Sequence, residues 1–219
     1  MIIVGIDEAG RGPVIGPLVI CAYACGEELE KELKRIGVKD SKLLGPRLRE
    51  KLFPQIAKHG KYELELISAE ELTKLMSKKV SLNEIEAMKA ADALKRLKKR
   101  TKFEKVIVDS PDPVASKFEK RIRKYFDHKF QILAENHADY NYPCVGAASI
   151  LAKVTRDAEL EKIKKIVGED FGSGYTHDEV TIAFLKRRIN DPLVAPFVRH
   201  KWETAKRLKI TQMELGGFL

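Results

Sequence analysis

Residues 2–25 read IIVGIDEAGRGPVIGPLVICAYAC. Two short apolar runs rich in β-branched residues, 2–7 and 18–25, flank a turn rich in glycine and proline, and this predicts a pair of strands. Asp7 and Glu8 follow the first run directly, with Gly5, Gly10 and Gly12 around them and Arg11 just beyond. Adjacent carboxylates on a buried strand repel each other and lose hydration. Such a placement calls for a chemical reason.

Working outward, KVIVDS (105–110) is another short apolar strand and ends at Asp109. Phe130–Ala134 reads as the next strand. Asp139 follows it within five residues, ahead of a long helical pattern that opens at Pro143 and runs to Val167. Carboxylates at the ends of neighbouring strands converge on one edge of a sheet, where open α/β folds place their sites. A single strand-end Asp reads as a turn or capping residue. Asp109 and Asp139 beside Asp7–Glu8 read instead as a metal site, and oxygen-only donors suit Mg²⁺ or Mn²⁺. Two such ions about 4 Å apart cleave phosphodiesters by in-line attack.

The remaining pattern predicts helices over Leu29–Gly37, Pro46–His59, Leu82–Lys99, 114–126, Thr176–Ile189 and Val198–Leu208, with a strand over Tyr62–Ile67. Ser68 and Ser81 are N-cap candidates, and Ser81 with Glu84 makes a capping box. Strands first, then alternating strand and helix, predict an α/β fold with a mixed sheet flanked by helices.

With 219 residues, 44% of them apolar, the chain can bury one sizeable core. Its net charge of +9 favours a polyanionic partner. No apolar run approaches the roughly 20 residues of a membrane span, and the charges in 1–25 exclude a signal peptide or anchor. A cytoplasmic monomer with no membrane contact is expected. Cys21, Cys25 and Cys144, without a CxxC, read as buried thiols.

Other motifs allow two readings each. Gly10–Arg11–Gly12 is either a tight turn or a backbone that approaches a ligand while Arg11 pairs with an anion. The spacing is not GxGxxG and no Walker lysine follows, so it is not a nucleotide loop. Ser149, Lys153 and Asp157 align on one helical face. They are either a solvated stripe with a Lys153–Asp157 ion pair or groups facing the acids. Tyr175, in GSGY (172–175), is either a packing ring or one that stacks on a sugar or base. Basic residues at Lys39, Lys42, Arg47, Arg49 and Lys51, and at 186–188, support backbone binding only in company with a site.

These segments together resemble ribonuclease HII, the type 2 ribonuclease H family, in its archaeal branch. The stretches that carry the likeness are GIDEAGRGPVIGPLVI (5–20), DSKLL (40–44), VIVDS (106–110), AD (138–139), AASILAKVTRD (147–157) and GSGY (172–175). The resemblance implies a ribonuclease-H-like fold with a helical C-terminal part. It divides the chain into a catalytic domain at 1–170, a helical part at 171–209 and a tail at 210–219.

The resemblance also implies an endonuclease acting on RNA/DNA hybrids and on ribonucleotides embedded in duplex DNA, with two Mg²⁺ or Mn²⁺ ions. Asp7, Glu8, Asp109 and Asp139 fall on the family's metal-binding acids, and Asp157 on a further acid near them. Gly10, Arg11 and Gly12 fall on the motif that reads the ribose 2′-OH, and Tyr175 on the ring that stacks on the following deoxyribose. Lys42, Ser149 and Lys153 join the expected substrate contacts. Thr176 stands where the family usually has proline, Leu43 where it has lysine or glutamine, and His137 where lysine is common.

The final residues TQMELGGFL contain Q-x-x-L-x-x-F-L, at Gln212, Leu215, Phe218 and Leu219, which resembles a peptide that docks on the DNA sliding clamp. The other reading of this tail is a helix end packed on the body. Two rival functions remain at this level: an actin- or sugar-kinase-like ATPase, and a non-catalytic module binding nucleic acid or the clamp.

Overall fold

A computed structural model describes residues 1–38, 44–127 and 129–216. By contacts the chain forms two compact units. The first holds Met1–Ala9, Val19–Leu66 and Ser81–Thr155; the second holds Gly10–Leu18, Ile67–Val80 and the chain from Arg156 onward. The second unit therefore draws on three separate stretches rather than on 171–209 alone.

The first unit is built on a five-stranded sheet. Strands β1 (Ile2–Ala9), β2 (Leu18–Gly26), β3 (Lys61–Ile67), β4 (Lys105–Asp109) and β5 (Gln131–Glu135) lie in the order β3-β2-β1-β4-β5. β1 pairs antiparallel with β2 and parallel with β4, and β4 is parallel to β5. The sheet is mixed, as the sequence predicts.

β1 runs further than its apolar stretch. Asp7, Glu8 and Ala9 stay paired with Cys21, Ile20 and Val19, whereas pairing with β4 stops at Ile6 and Val108. Asp7 is thus not at a strand end, as expected, but at the point where the β4 side of its strand opens. The antiparallel partner continues the ladder there, so the polar residues remain in extended backbone.

Helices of this unit are α1 (Glu27–Arg35), α2 (Pro46–His59), α4 (Leu82–Arg100), α5 (Ala115–Tyr125), the short α6 (Ala138–Asn141) and the first part of α7 (Pro143–Val167). Side chains alternate across the strands. Ala9, Val19, Cys21, Tyr23 and Cys25 pack with Cys144, Val145, Ala148 and Leu151 of α7 and with Leu52 and Ile56 of α2. All three cysteines are buried and free. Ile6, Ile20 and Val108 face the other way, towards Ala90 of α4 and Phe118 of α5. Gly5 decides how closely α7 approaches: a Cβ there would run into the backbone of Cys144 and Val145.

The second unit contains α3 (Ala69–Ser77), the rest of α7, α8 (Glu179–Arg188) and α9 (Glu203–Gly216) around a core that includes Val14, Ile15, Leu160, Phe171, Phe184 and Val198. Its segments are laced by backbone. Val14 N and Ile15 N donate to Gly174 O (2.8 and 3.3 Å), Gly16 N donates to Phe197 O (2.9 Å), and Arg199 N donates to Val14 O (2.9 Å).

This lacing explains two departures from the predicted helices. Val198 bridges Ile15 in extended backbone, so the helix expected from Val198 begins only at Glu203. Asp178 accepts from Val180 N at 3.0 Å, so α8 starts at Glu179 and Thr176–Asp178 form the turn before it. Ser68 and Ser81 cap as expected, accepting from Glu71 N (3.0 Å) and Glu84 N (3.3 Å). Only half of the capping box is made, because the Glu84 carboxylate is held by Arg121, Lys124 and Tyr125.

Candidate active site

Two of the acids meet where the pairing of β1 with β4 ends. Because Ile6 pairs with Val108, the next residues, Asp7 and Asp109, are neighbours on parallel strands. Asp7 is buried, 5% exposed. Burial, then the charges of Glu8 and of Asp109, push its carboxyl well above the usual carboxylate range. Two hydrogen bonds oppose that rise: one from the Ser149 hydroxyl of α7 and one from Glu8 N to Asp7 Oδ1 at 2.7 Å.

Lys153 Nζ donates to Ser149 Oγ at 3.1 Å, forming a chain Lys153–Ser149–Asp7. Two members of the predicted stripe therefore face the acid. Asp109 Oδ1 accepts from Ala138 N at 2.9 Å, which ties β4 to the start of α6. Asn136 Nδ2 bonds the carbonyls of Ser110 and Asp112, both at 2.9 Å. His137 adopts a left-handed conformation (φ 61°) to turn the chain. Asp139 follows within α6 and is only 1% exposed. Among the described residues no three acidic, thiol or imidazole groups are already gathered as a metal cage; Asp7 has Glu8 and Asp109 as electrostatic neighbours.

The glycine motif and the tyrosine belong to the second unit, and there they meet. A Cβ on Gly12 would lie 3.5 Å from Cε1 of Tyr175. Gly10 has φ +87°, and a Cβ on it would stand 2.6 Å from Cδ and Nε of Arg156 and 2.7 Å from Pro17 O. Arg156 is buried and lies over the Tyr175 ring, 5.3 Å from its centroid. Its Nη2 donates to Ser173 O at 3.1 Å. Asp178 holds the same loop, accepting from Ser173 N (2.7 Å) and Ser173 Oγ (2.6 Å). These bonds depress its carboxyl to about 2.

A sequence profile described as Ribonuclease HII matches residues 4–205. The chain is 43% identical over 228 aligned residues to the Ribonuclease HII of Pyrococcus abyssi, covering all of this chain and 98% of that one. The chain belongs to the ribonuclease HII family.

Solved structures agree. The ribonuclease H2 of Pyrococcus horikoshii OT3 superposes with a TM-score of 0.86 at 42% identity, over 96% of this chain and 98% of that one. The RNase HII of Archaeoglobus fulgidus, solved as a PCNA:RNase HII complex, superposes with a TM-score of 0.83 at 39% identity, over 93% and 96%. As a ribonuclease HII the protein is a ribonuclease H endonuclease, which displaces the ATPase and non-catalytic readings. Among the described residues no helix is long and apolar enough to cross a membrane.

Asp157 lies in the second unit, half-exposed, 3.5 Å from Arg156. Arg187 and Arg188 pair with Glu169, and Arg188 also with Asp191, so part of the basic cluster at 186–188 is engaged in internal ion pairs. Lys39, Lys42 and Leu43 lie outside the described residues, as do Phe218 and Leu219; Gln212 and Leu215 are on the backbone of α9.

Three residues were missed. Glu86 of α4 is 2% exposed and lines, with Asp7, Glu8 and Asp109, a cavity of about 10 Å³. Its signal was an acid among the apolar positions Ile85, Ala87 and Ala90. Arg156 and Arg199 are buried cations in the second unit. Arg199 sits in the apolar run APFVR, where a charge needs a partner.

Proposed function

We propose that the enzyme hydrolyses the RNA strand of RNA/DNA hybrids and nicks duplex DNA 5′ to embedded ribonucleotides, leaving 3′-hydroxyl and 5′-phosphate ends. In this reading Asp7, Glu8, Asp109 and Asp139 hold two Mg²⁺ or Mn²⁺ ions. The observation that carries it is the β1–β4 register, which sets Asp7 beside Asp109 with Glu8 next in the chain, where burial, then Glu8 and Asp109, raise the Asp7 carboxyl. A donor set of carboxylate oxygens under that repulsion fits hard divalent cations.

Two ions bound there would supply Lewis acidity to the attacking water and the leaving 3′ oxygen. The protein's own part is orientation. Ser149 and Glu8 N hold Asp7, with Lys153 fixing the Ser149 hydroxyl, and Ala138 N holds one oxygen of Asp109. Backbone N–H groups of Gly10–Arg11–Gly12 contact the ribose 2′-OH, Arg11 and Lys42 pair with phosphates, and Tyr175 stacks on the next deoxyribose.

Asp109→Asn tests the assignment, because the amide still accepts from Ala138 N while the charge is lost. Expected are an unchanged melting temperature and a fall of about 10²–10³-fold or more in Mg²⁺-dependent cleavage of a duplex with one ribonucleotide. Near-wild-type cleavage overturns it.

The A. fulgidus relative was solved with PCNA. This supports a second element of the reading, in which Gln212, Leu215, Phe218 and Leu219 dock this chain on a sliding clamp.

A further inference from the structure

Arg199 is fully buried, 0% exposed, and its guanidinium is directed at backbone carbonyls. Nη2 donates to Gly10 O at 2.6 Å, Nη1 to Arg11 O at 3.1 Å and Nε to Gly16 O at 2.9 Å. The Trp202 ring also supports it, its centroid 5.0 Å from the guanidinium carbon. The Trp202 indole Nε1 donates to Gly12 O at 3.3 Å. Three consecutive carbonyls, those of residues 10, 11 and 12, are therefore drawn to one buried cation and its aromatic neighbour.

The geometry of the peptide group turns this into a statement about donors. The described residues contain no cis peptide bond, and in a trans peptide the C=O and the following N–H point in opposite directions. With Gly10 O and Arg11 O turned to Arg199, the N–H groups of Arg11 and Gly12 are turned away from it, side by side. The third peptide ends in Pro13, which has no N–H. The cradle therefore produces a pair of adjacent backbone donors, the arrangement that forms an anion- or oxygen-binding nest. A cation on the carbonyl side also polarises those peptides and strengthens their N–H groups as donors.

We infer that Arg199, seated on Trp202, is a positioning residue that sets selectivity for a 2′-hydroxyl by orienting the Arg11 and Gly12 N–H groups. The inference rests on the reading that this backbone contacts the ribose. Arg199 acts through the loop and does not itself touch substrate.

The test is a selectivity ratio, which a purely structural residue would not move. Binding is measured in EDTA to a duplex containing one ribonucleotide and to the all-DNA duplex of the same sequence, for wild type, Arg199→Lys and Trp202→Phe. Lysine keeps the charge but offers a point donor in place of the planar fork. The expected result is a roughly tenfold or greater fall in the ratio for Arg199→Lys, about one oriented hydrogen bond, with all-DNA binding unchanged. Trp202→Phe keeps the ring and loses the bond to Gly12 O, and the ratio is expected to fall less.

Equal ratios in wild type and a folded Arg199→Lys overturn the inference. If Arg199→Lys does not fold, an unchanged ratio in Trp202→Phe overturns it. A wild type that itself shows no preference defeats the underlying reading of the loop instead, so the two failures are distinguishable.

Discussion

Gly10 and Gly12 flank one arginine, yet alanine at each should do different things. At Gly10 the backbone has φ +87°, and a methyl would meet Arg156 Cδ and Nε at 2.6 Å and Pro17 O at 2.7 Å. The left-handed conformation costs an alanine roughly 1–2 kcal/mol, and overpacking against a carbonyl adds about 1–3 kcal/mol. A total of about 2–5 kcal/mol corresponds to a melting temperature lower by roughly 4–20 °C for a chain of this size. At Gly12 a methyl meets only the Tyr175 ring edge, at 3.5 and 3.8 Å, which is ordinary contact. Gly12→Ala should therefore melt within about 2 °C of wild type, corresponding to a change of about 0.5 kcal/mol. That methyl lies between the motif and the Tyr175 ring, however. Cleavage of a duplex with one ribonucleotide should fall by about tenfold in kcat/KM, or 1.4 kcal/mol of transition-state stabilisation. Thermal melts and steady-state cleavage on both variants decide the matter. Equal destabilisation by the two substitutions, or a Gly10→Ala protein that melts like wild type, refutes the reasoning.

Two further outcomes follow from the loop and the tail. Asp178, whose carboxyl is depressed to about 2 by Ser173, should anchor the Gly172–Tyr175 loop at every pH above its ordinary value near 4 and release it as pH falls through about 2. The Ser173 amide resonance, followed by NMR, should titrate with that low midpoint, and a midpoint near 4 would contradict the anchoring. Deleting residues 212–219 should abolish binding to a sliding clamp while leaving hybrid cleavage intact, and retained clamp binding would remove the tail from the proposal.

Much of the acid cluster was legible because it follows local rules. Apolar β-branched runs before Asp7 and Asp109 make strands whatever surrounds them, and two parallel strands in register bring their next residues together. The Ser149–Lys153 stripe was open to two readings, since helical spacing says which residues share a face but not what that face meets. Gly5 lets α7 lie on β1 with Ser149 at Asp7, while Asp157, the third member of the stripe, pairs with Arg156. The expected helix start at Val198 was lost for a similar reason. Val198 has a partner in Ile15, 183 residues earlier, and no local propensity carries that information.

The sequence alone therefore determined the strands, nearly all the longer helices, the acids and the family motifs, because each is written in contiguous residues through periodicity, capping and spacing. Tertiary structure decided which backbone groups of the glycine motif turn inward. A buried arginine near residue 200 and a tryptophan three positions later hold the carbonyls of residues 10–12. A guanidinium taken out of water must find acceptors, and those it finds here are set by the folded path of the chain.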